Sequence, residues 1–88
     1  MSDSEVYGVG EVVYVPRHNG EINRNLDYWP GGKAQIVEVL GDVLSGRFKY
    51  EVRRWVPRLQ AWTQRTYVIG SEWPHRSIRA FQEGRYVR

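Results

Sequence analysis

The stretch Gly46–Ile69, GRFKYEVRRWVPRLQAWTQRTYVI, constrains this chain most, because its side chains alternate in a way that suits an extended strand. Phe48, Tyr50 and Val52 interleave with Arg47, Lys49, Glu51 and Arg53, which puts apolar groups on one face of a pleated strand and charges on the other. Pro57 has no backbone N–H and interrupts the ladder after Trp55; the β-favouring run from Trp62 to Ile69 then returns. The segment reads as a β-hairpin with one buried and one charged face. The remainder of the chain is predicted to close a small barrel around it.

Turn residues divide the flanking sequence at strand-like spacing. Gly10 to Pro16, GEVVYVP, is a short β-branched run between breakers and reads as the first strand. Arg17 to Gly32 has no sustained period and is rich in Asn, Gly and Pro, so it is a long loop, with Tyr28 and Trp29 adjacent in it. Lys33 to Val39, KAQIVEV, is the second strand; Ile36, Val37 and Val39 do not keep one facing, which predicts a bulge or bend there. Gly41 to Gly46 turns into the third strand. After Gly70, Ser71-Glu72-Trp73-Pro74 is expected to make one tight helical turn capped by Ser71, and Ser77 to Phe81 to form a fifth strand. The predicted domain spans residues 9–82, between a flexible N-terminus, 1–8, and a flexible C-terminus, 83–88. Its expected core is Val13, Val15, Ile36, Phe48, Tyr50, Val52, Val68 and Ile78, with Trp62 also inside.

A chain of 88 residues supports one domain with a modest core, and its six Tyr, four Trp and two Phe supply buried area efficiently. There is no Cys and there are two His, which removes a disulfide scaffold and the usual zinc site; no metal or cofactor is expected. No apolar run approaches the ~20 residues that span a bilayer, and the acidic start lacks signal-peptide blocks, so the expectation is an intracellular chain with no membrane partner. The net charge of +3 is unevenly placed. Residues 1–46 carry three basic and seven acidic groups, a net −4, whereas residues 47–88 carry ten basic groups, nine of them Arg, against three acidic ones, a net +7. Guanidinium groups stack on rings and pair bidentately with phosphate or carboxylate.

Five short strands, a long first loop and a bent second strand describe an all-β, five-stranded, partly open SH3-like barrel with one short helical turn before the last strand. The chain resembles the chromo-barrel and Tudor-like modules of chromatin proteins. Val9-Gly10-Glu11-Val12-Val13-Tyr14-Val15 is similar to their first strand and Ala34-Gln35-Ile36-Val37-Glu38-Val39 to their second. Tyr50 to Trp55, followed by Arg58-Leu59-Gln60-Ala61-Trp62, is similar to their aromatic hairpin. The resemblance covers residues 9–62 and implies an aromatic cage for methylated lysine or arginine, a nuclear setting in a eukaryote and a cytoplasmic one otherwise. Tyr14, Tyr28, Trp29 and Trp55 are the cage candidates. Two cage positions of the family are occupied here by Arg54 and Leu59, and an Arg there repels a methylammonium. The acidic pair that the family places before the last Trp is replaced by Gln60-Ala61.

No catalytic constellation is present: His18 and His75 lie far apart in loop contexts, and Pro30-Gly31-Gly32-Lys33 leads into a strand, where no helix terminus is available to hold phosphate. A non-catalytic binding module is therefore expected. The leading expectation is nucleic acid, DNA or RNA, met by Arg47, Lys49, Arg53, Arg54, Arg58 and Arg65, with Trp55, or Trp62 where it is not in the core, stacking on a base. The alternatives are a protein or peptide partner held in a modified aromatic cage, or a structural part in a larger assembly.

Overall fold

The computed structural model describes residues 6–75 and is mostly β. Strands β1 (Val12–Val15), β2 (Gly32–Asp42), β3 (Arg47–Val56) and β4 (Ala61–Gly70) form one antiparallel sheet in chain order. The expected hairpin is β3–β4. Tyr50 and Val52 are buried on its apolar face, and Phe48 packs against them half-buried.

The expected irregularity in the second strand is a β-bulge at Val37. Ile36 pairs with Val52 and Glu38 with Glu51, so Val37 has no partner on β3. The extra residue changes the phase of the pleat. Ala34 and Ile36 are buried before the bulge, and Val39, opposite Tyr50, packs on the same core after it. A regular strand would have turned Val39 away.

A four-strand meander leaves β1 and β4 as edges, and the connecting segments cover both in part. The long loop returns to β4, where the Asp27 N–H donates to the Val68 carbonyl and the Val68 N–H to Asp27 Oδ2, each at 2.8 Å. Beyond β4, His75 pairs with Tyr14 on β1 through two backbone bonds of 2.8 and 2.9 Å. The loop also enters the core. Leu26 and Trp29 are buried, and the Trp29 indole N–H donates to the Val15 carbonyl at 3.0 Å while its ring meets Tyr67 edge-on. Gly20 makes this path possible. It has a φ of 85°, and a Cβ there would lie 2.6 Å from the Leu26 carbonyl oxygen.

Several expectations change. Tyr7 lies within the stretch expected to fray, yet it is buried, and its N–H donates to the Tyr50 hydroxyl at 3.0 Å. Residues 70–73 form a hydrogen-bonded turn rather than a helical one: the Trp73 N–H donates to the Gly70 carbonyl at 3.2 Å, and the Ser71 hydroxyl goes to the Glu72 carboxylate instead of capping. The reason is Trp73, whose ring is buried over Gly70 and stacked on His18 at 3.7 Å, so the chain runs on extended to His75. Among the described residues the one helical turn is a 3-10 turn at Ile22–Arg24 in the loop. Trp62 is half-buried and outside the core, because it stands on the face opposite Tyr50 and Val52. The fifth strand, Ile78 and the C-terminal residues 83–88 lie outside the described residues.

Burial pushes the phenols of both Tyr7 and Tyr50 above the ordinary value of 10.0. A raised folded-state value means that the unfolded chain loses its protons first, so stability is complete below pH 10 and declines as pH rises through the folded-state values. Denaturant titrations between pH 8 and pH 11 should show this fall. Tyr50→Phe should flatten it, and at neutral pH should cost about 1–3 kcal/mol because the Tyr7 N–H loses its acceptor. Gly20→Ala should cost at least about 1–3 kcal/mol from backbone conformation, with the clash at Leu26 adding to that; an unchanged denaturation midpoint would contradict this path for the loop.

Candidate functional site

Cross-strand register assembles one row of side chains on the face away from the core. Tyr14 lies between buried Val13 and Val15, so alternation turns it outward, and its partner on β2 is Lys33. The pairing of Ala34 with Arg54 puts Lys33 level with Trp55, and the Lys33 ammonium sits 4.9 Å from the centre of the Trp55 ring. Trp55 is paired with Trp62, the two rings meeting edge to face at 5.1 Å. Each strand thus contributes one member: Tyr14, Lys33, Trp55 and Trp62.

A second irregularity makes the last pairing possible. Between the pairs Arg53–Thr66 and Trp55–Trp62, Arg54 alone on β3 faces Thr63, Gln64 and Arg65 on β4. The Thr63 hydroxyl closes the gap: it accepts from the Arg54 backbone N–H at 3.0 Å and donates to the Arg65 carbonyl at 2.8 Å. A side chain here takes over the role of a ladder carbonyl.

Beside the row is a cleft of about 340 Å³, lined by Tyr14, Lys33, Arg54, Trp55, Pro57 and the Gly31–Gly32 backbone. Its charged lining groups are both cationic. The Arg54 Nε is buried and has no hydrogen-bond partner among the described residues. Arg53 and Arg58 are exposed nearby, Arg53 in register with Gln35 and Thr66 and Arg58 in the β3–β4 turn. Arg65 lies over the Tyr67 ring at 4.6 Å.

The other predicted cations do not join this group. Arg47 is opposite Asp42, and the Lys49 ammonium donates to the Arg24 carbonyl at 2.8 Å. At ~3.3 Å per strand residue, Lys49 is about 20 Å along β3 from Trp55. Both line a separate cleft of about 400 Å³ with Arg24 and Phe48. Arg24 there is committed to Glu72 at 3.1 Å and Glu21 at 3.4 Å, and its hydrogen bond holds the Glu72 carboxyl below the ordinary carboxylate value.

Of the four cage candidates, Tyr14 and Trp55 share the cleft. Trp29 is fully buried, and Tyr28 is exposed with the Arg17 guanidinium 5.8 Å from its ring centre. Tyr28 lines a different recess, together with residues 19–23, Leu26 and Asp27. Lys33 is a member that sequence reasoning did not assign to the site, whereas Trp62, weighed there both as core and as a stacking ring, takes its place in the row. Lys33 gave only the signal of a strand-opening cation after two glycines, and the bulge that sets Trp62 opposite Trp55 has no obvious sequence mark. Among the described residues no group of three His, Cys, Asp or Glu is arranged to hold a metal ion, and no helix is long and apolar enough to cross a membrane. Comparison with protein-family models, curated proteins and solved structures finds no match to this chain.

A cleft whose charged lining groups are Lys33 and Arg54 disfavours a methylammonium. Peptides that differ only in lysine methylation should therefore bind equally in a calorimetric titration. A preference of about ten-fold for the methylated form would show that Tyr14 and Trp55 act as a cage despite those cations.

Proposed function

We propose that this chain is a non-catalytic module that binds single-stranded nucleic acid across the end of the sheet where β1, β2, β3 and β4 contribute Tyr14, Lys33, Trp55 and Trp62. The observation that carries this reading is that row, flanked by Arg53, Arg54 and Arg58. Rings offer stacking surfaces to bases, and the surrounding cations track phosphates. Arg47 and Lys49 are left out of the interface because of their distance and partners.

The magnitudes favour exchange at the Trp55 ring. Stacking a base on an aromatic side chain is worth about 1–3 kcal/mol. An exposed cation–π contact such as Lys33 on Trp55 is worth about 0.5–1 kcal/mol. A base that displaces the ammonium gains more than the protein loses, and Lys33 is then free to meet a phosphate.

We also infer that the sheet belongs to a five-stranded SH3-like barrel of the chromo-barrel or Tudor-like kind. The pairing of Tyr14 with His75 supports this, because it brings the chain beyond β4 back to the open edge of β1. The same resemblance supports an intracellular setting in association with DNA or RNA.

Titration of labelled single-stranded and duplex oligonucleotides at two salt concentrations tests the interface. Affinity for single strands should fall log-linearly with salt, and Arg53→Ala or Arg58→Ala should each reduce the slope by about 0.7. Trp55→Ala should weaken single-stranded binding by about 1–3 kcal/mol and change duplex binding little. No binding at low salt, where attraction is greatest, would overturn the reading.

A further inference from the structure

The long loop carries three asparagines, Asn19, Asn23 and Asn25, and all are exposed. An asparagine carboxamide can be attacked by the backbone nitrogen of the next residue once that nitrogen gives up its proton, so the partner of that N–H distinguishes the three sites. Arg24 follows Asn23 and Leu26 follows Asn25, and their N–H groups both donate to the Glu21 carbonyl, at 3.2 and 2.9 Å. A carbonyl accepts a hydrogen bond but is no base. Gly20 follows Asn19, and its N–H donates to Nδ1 of His18 at 3.0 Å, within the reach of a general base.

The imidazole is held for this contact. Its ring is stacked on Trp73, with centroids 3.7 Å apart and planes 18° apart, and the His18 backbone pairs with Trp29 in both directions. Because Nδ1 accepts, the ring proton sits on Nε2, which is the neutral form able to take up a proton. The charged and titratable groups on the segments packed around the ring have other partners. Arg17 lies over Tyr28, Glu21 and Glu72 are held by Arg24, Asp27 accepts from the Val68 N–H, and the His75 backbone is paired with Tyr14. Gly20 also has no side chain to crowd the attack on Asn19, unlike Arg24 and Leu26 at the other two sites.

We propose that Asn19-Gly20 is a self-modification site, with His18 as its general base and water as its one co-reactant. Nδ1 takes the Gly20 amide proton, and the freed nitrogen bonds to Cγ of Asn19. The tetrahedral centre then expels the carboxamide nitrogen, which leaves as ammonia with the proton from the imidazolium. This closes a five-membered cyclic imide and restores neutral His18. Water opens the imide on either side of the Gly20 nitrogen: breaking its bond to Cγ gives aspartate, and breaking its bond to the main-chain carbonyl carbon gives isoaspartate. Nothing is oxidised or reduced. Both products add a carboxylate to the loop. Isoaspartate also inserts a methylene into the main chain beside Gly20, where an added Cβ would lie 2.6 Å from the Leu26 carbonyl oxygen. With so little room there, conversion loosens the loop that carries Trp29.

The experiment incubates the full chain from about pH 6 to about pH 9, on both sides of the imidazole range, and measures aspartate and isoaspartate at each asparagine by peptide mass spectrometry. Asn19 should convert about ten-fold or more faster than Asn23 or Asn25. Its rate should level off above about pH 7.5, where an ordinary imidazole is already neutral, whereas attack driven by hydroxide alone would keep rising about ten-fold per pH unit. His18→Phe keeps a ring on Trp73 without a base, and should slow conversion about ten-fold or more with an unchanged circular dichroism spectrum. If that variant does not fold, the pH profile of the unaltered chain decides. Equal conversion at the three asparagines, a rate with no plateau, or a folded His18→Phe variant of unchanged or faster conversion would each overturn the proposal.

Discussion

The burial of Trp29 is the interaction on which the rest of the structure depends. Its ring is fully inside, its indole N–H satisfies the Val15 carbonyl, and its backbone pairs in both directions with His18. One residue therefore ties the long loop to the first strand and, through the edge contact with Tyr67, to the last. A small β domain has little apolar area to spare, and a loop that contributed nothing to the core would be costly to order. Here the loop supplies Leu26 and Trp29 as core residues. With the loop fixed in this way, Gly31 and Gly32 arrive at the start of β2 in a defined position beside Trp55.

The site depends on irregularity as much as on regular pairing. The bulge at Val37 returns Val39 to the core side of β2, and the wider one at Thr63–Arg65 sets Trp62 opposite Trp55. Between them the sheet is regular from Ala34 to Ile36, which is where β2 meets Arg54, Arg53 and Val52. An exposed cation, Arg53, and a half-buried one, Arg54, thus adjoin along β3 next to the ring pair. Arg54 is the member whose setting differs, because the pleat turns it to the side of Ala34.

How much of this was legible in the sequence depended on whether the signal was local. The alternation in β3 and the break at Pro57 identified the hairpin, and the mixed facing of Ile36, Val37 and Val39 identified a bulge. Val13, Val15, Ile36, Tyr50 and Val52 were legible as core for the same reason. The partners that close the sheet were not legible, since Asp27 with Val68 and Tyr14 with His75 are joined across long stretches of chain. Trp73 and Tyr7 were missed as core because each is held by a distant residue, Trp73 by His18 and Tyr7 by Tyr50. Trp62 was placed in the core through the family resemblance, whereas plain alternation from Ile69 and Tyr67 already turns it outward with Thr66, and the three-against-one bulge keeps that phase. The cations Arg47 and Lys49 belonged to the right strand and the wrong end of it.

The Thr63–Arg65 bulge also bears on how the molecule behaves among copies of itself. Among the described residues β4 is an edge strand, and a straight edge with unpaired backbone groups invites another chain to add a strand. The loop occupies this edge at Val68, and the bulge distorts the half that the loop does not reach. An incoming strand would find its spacing wrong at Thr63 and would meet exposed Gln64 and Arg65. The irregularity that brings two tryptophans together therefore also protects the chain against edge-to-edge aggregation, and straightening it would bring a solubility cost that the folded domain alone would not reveal.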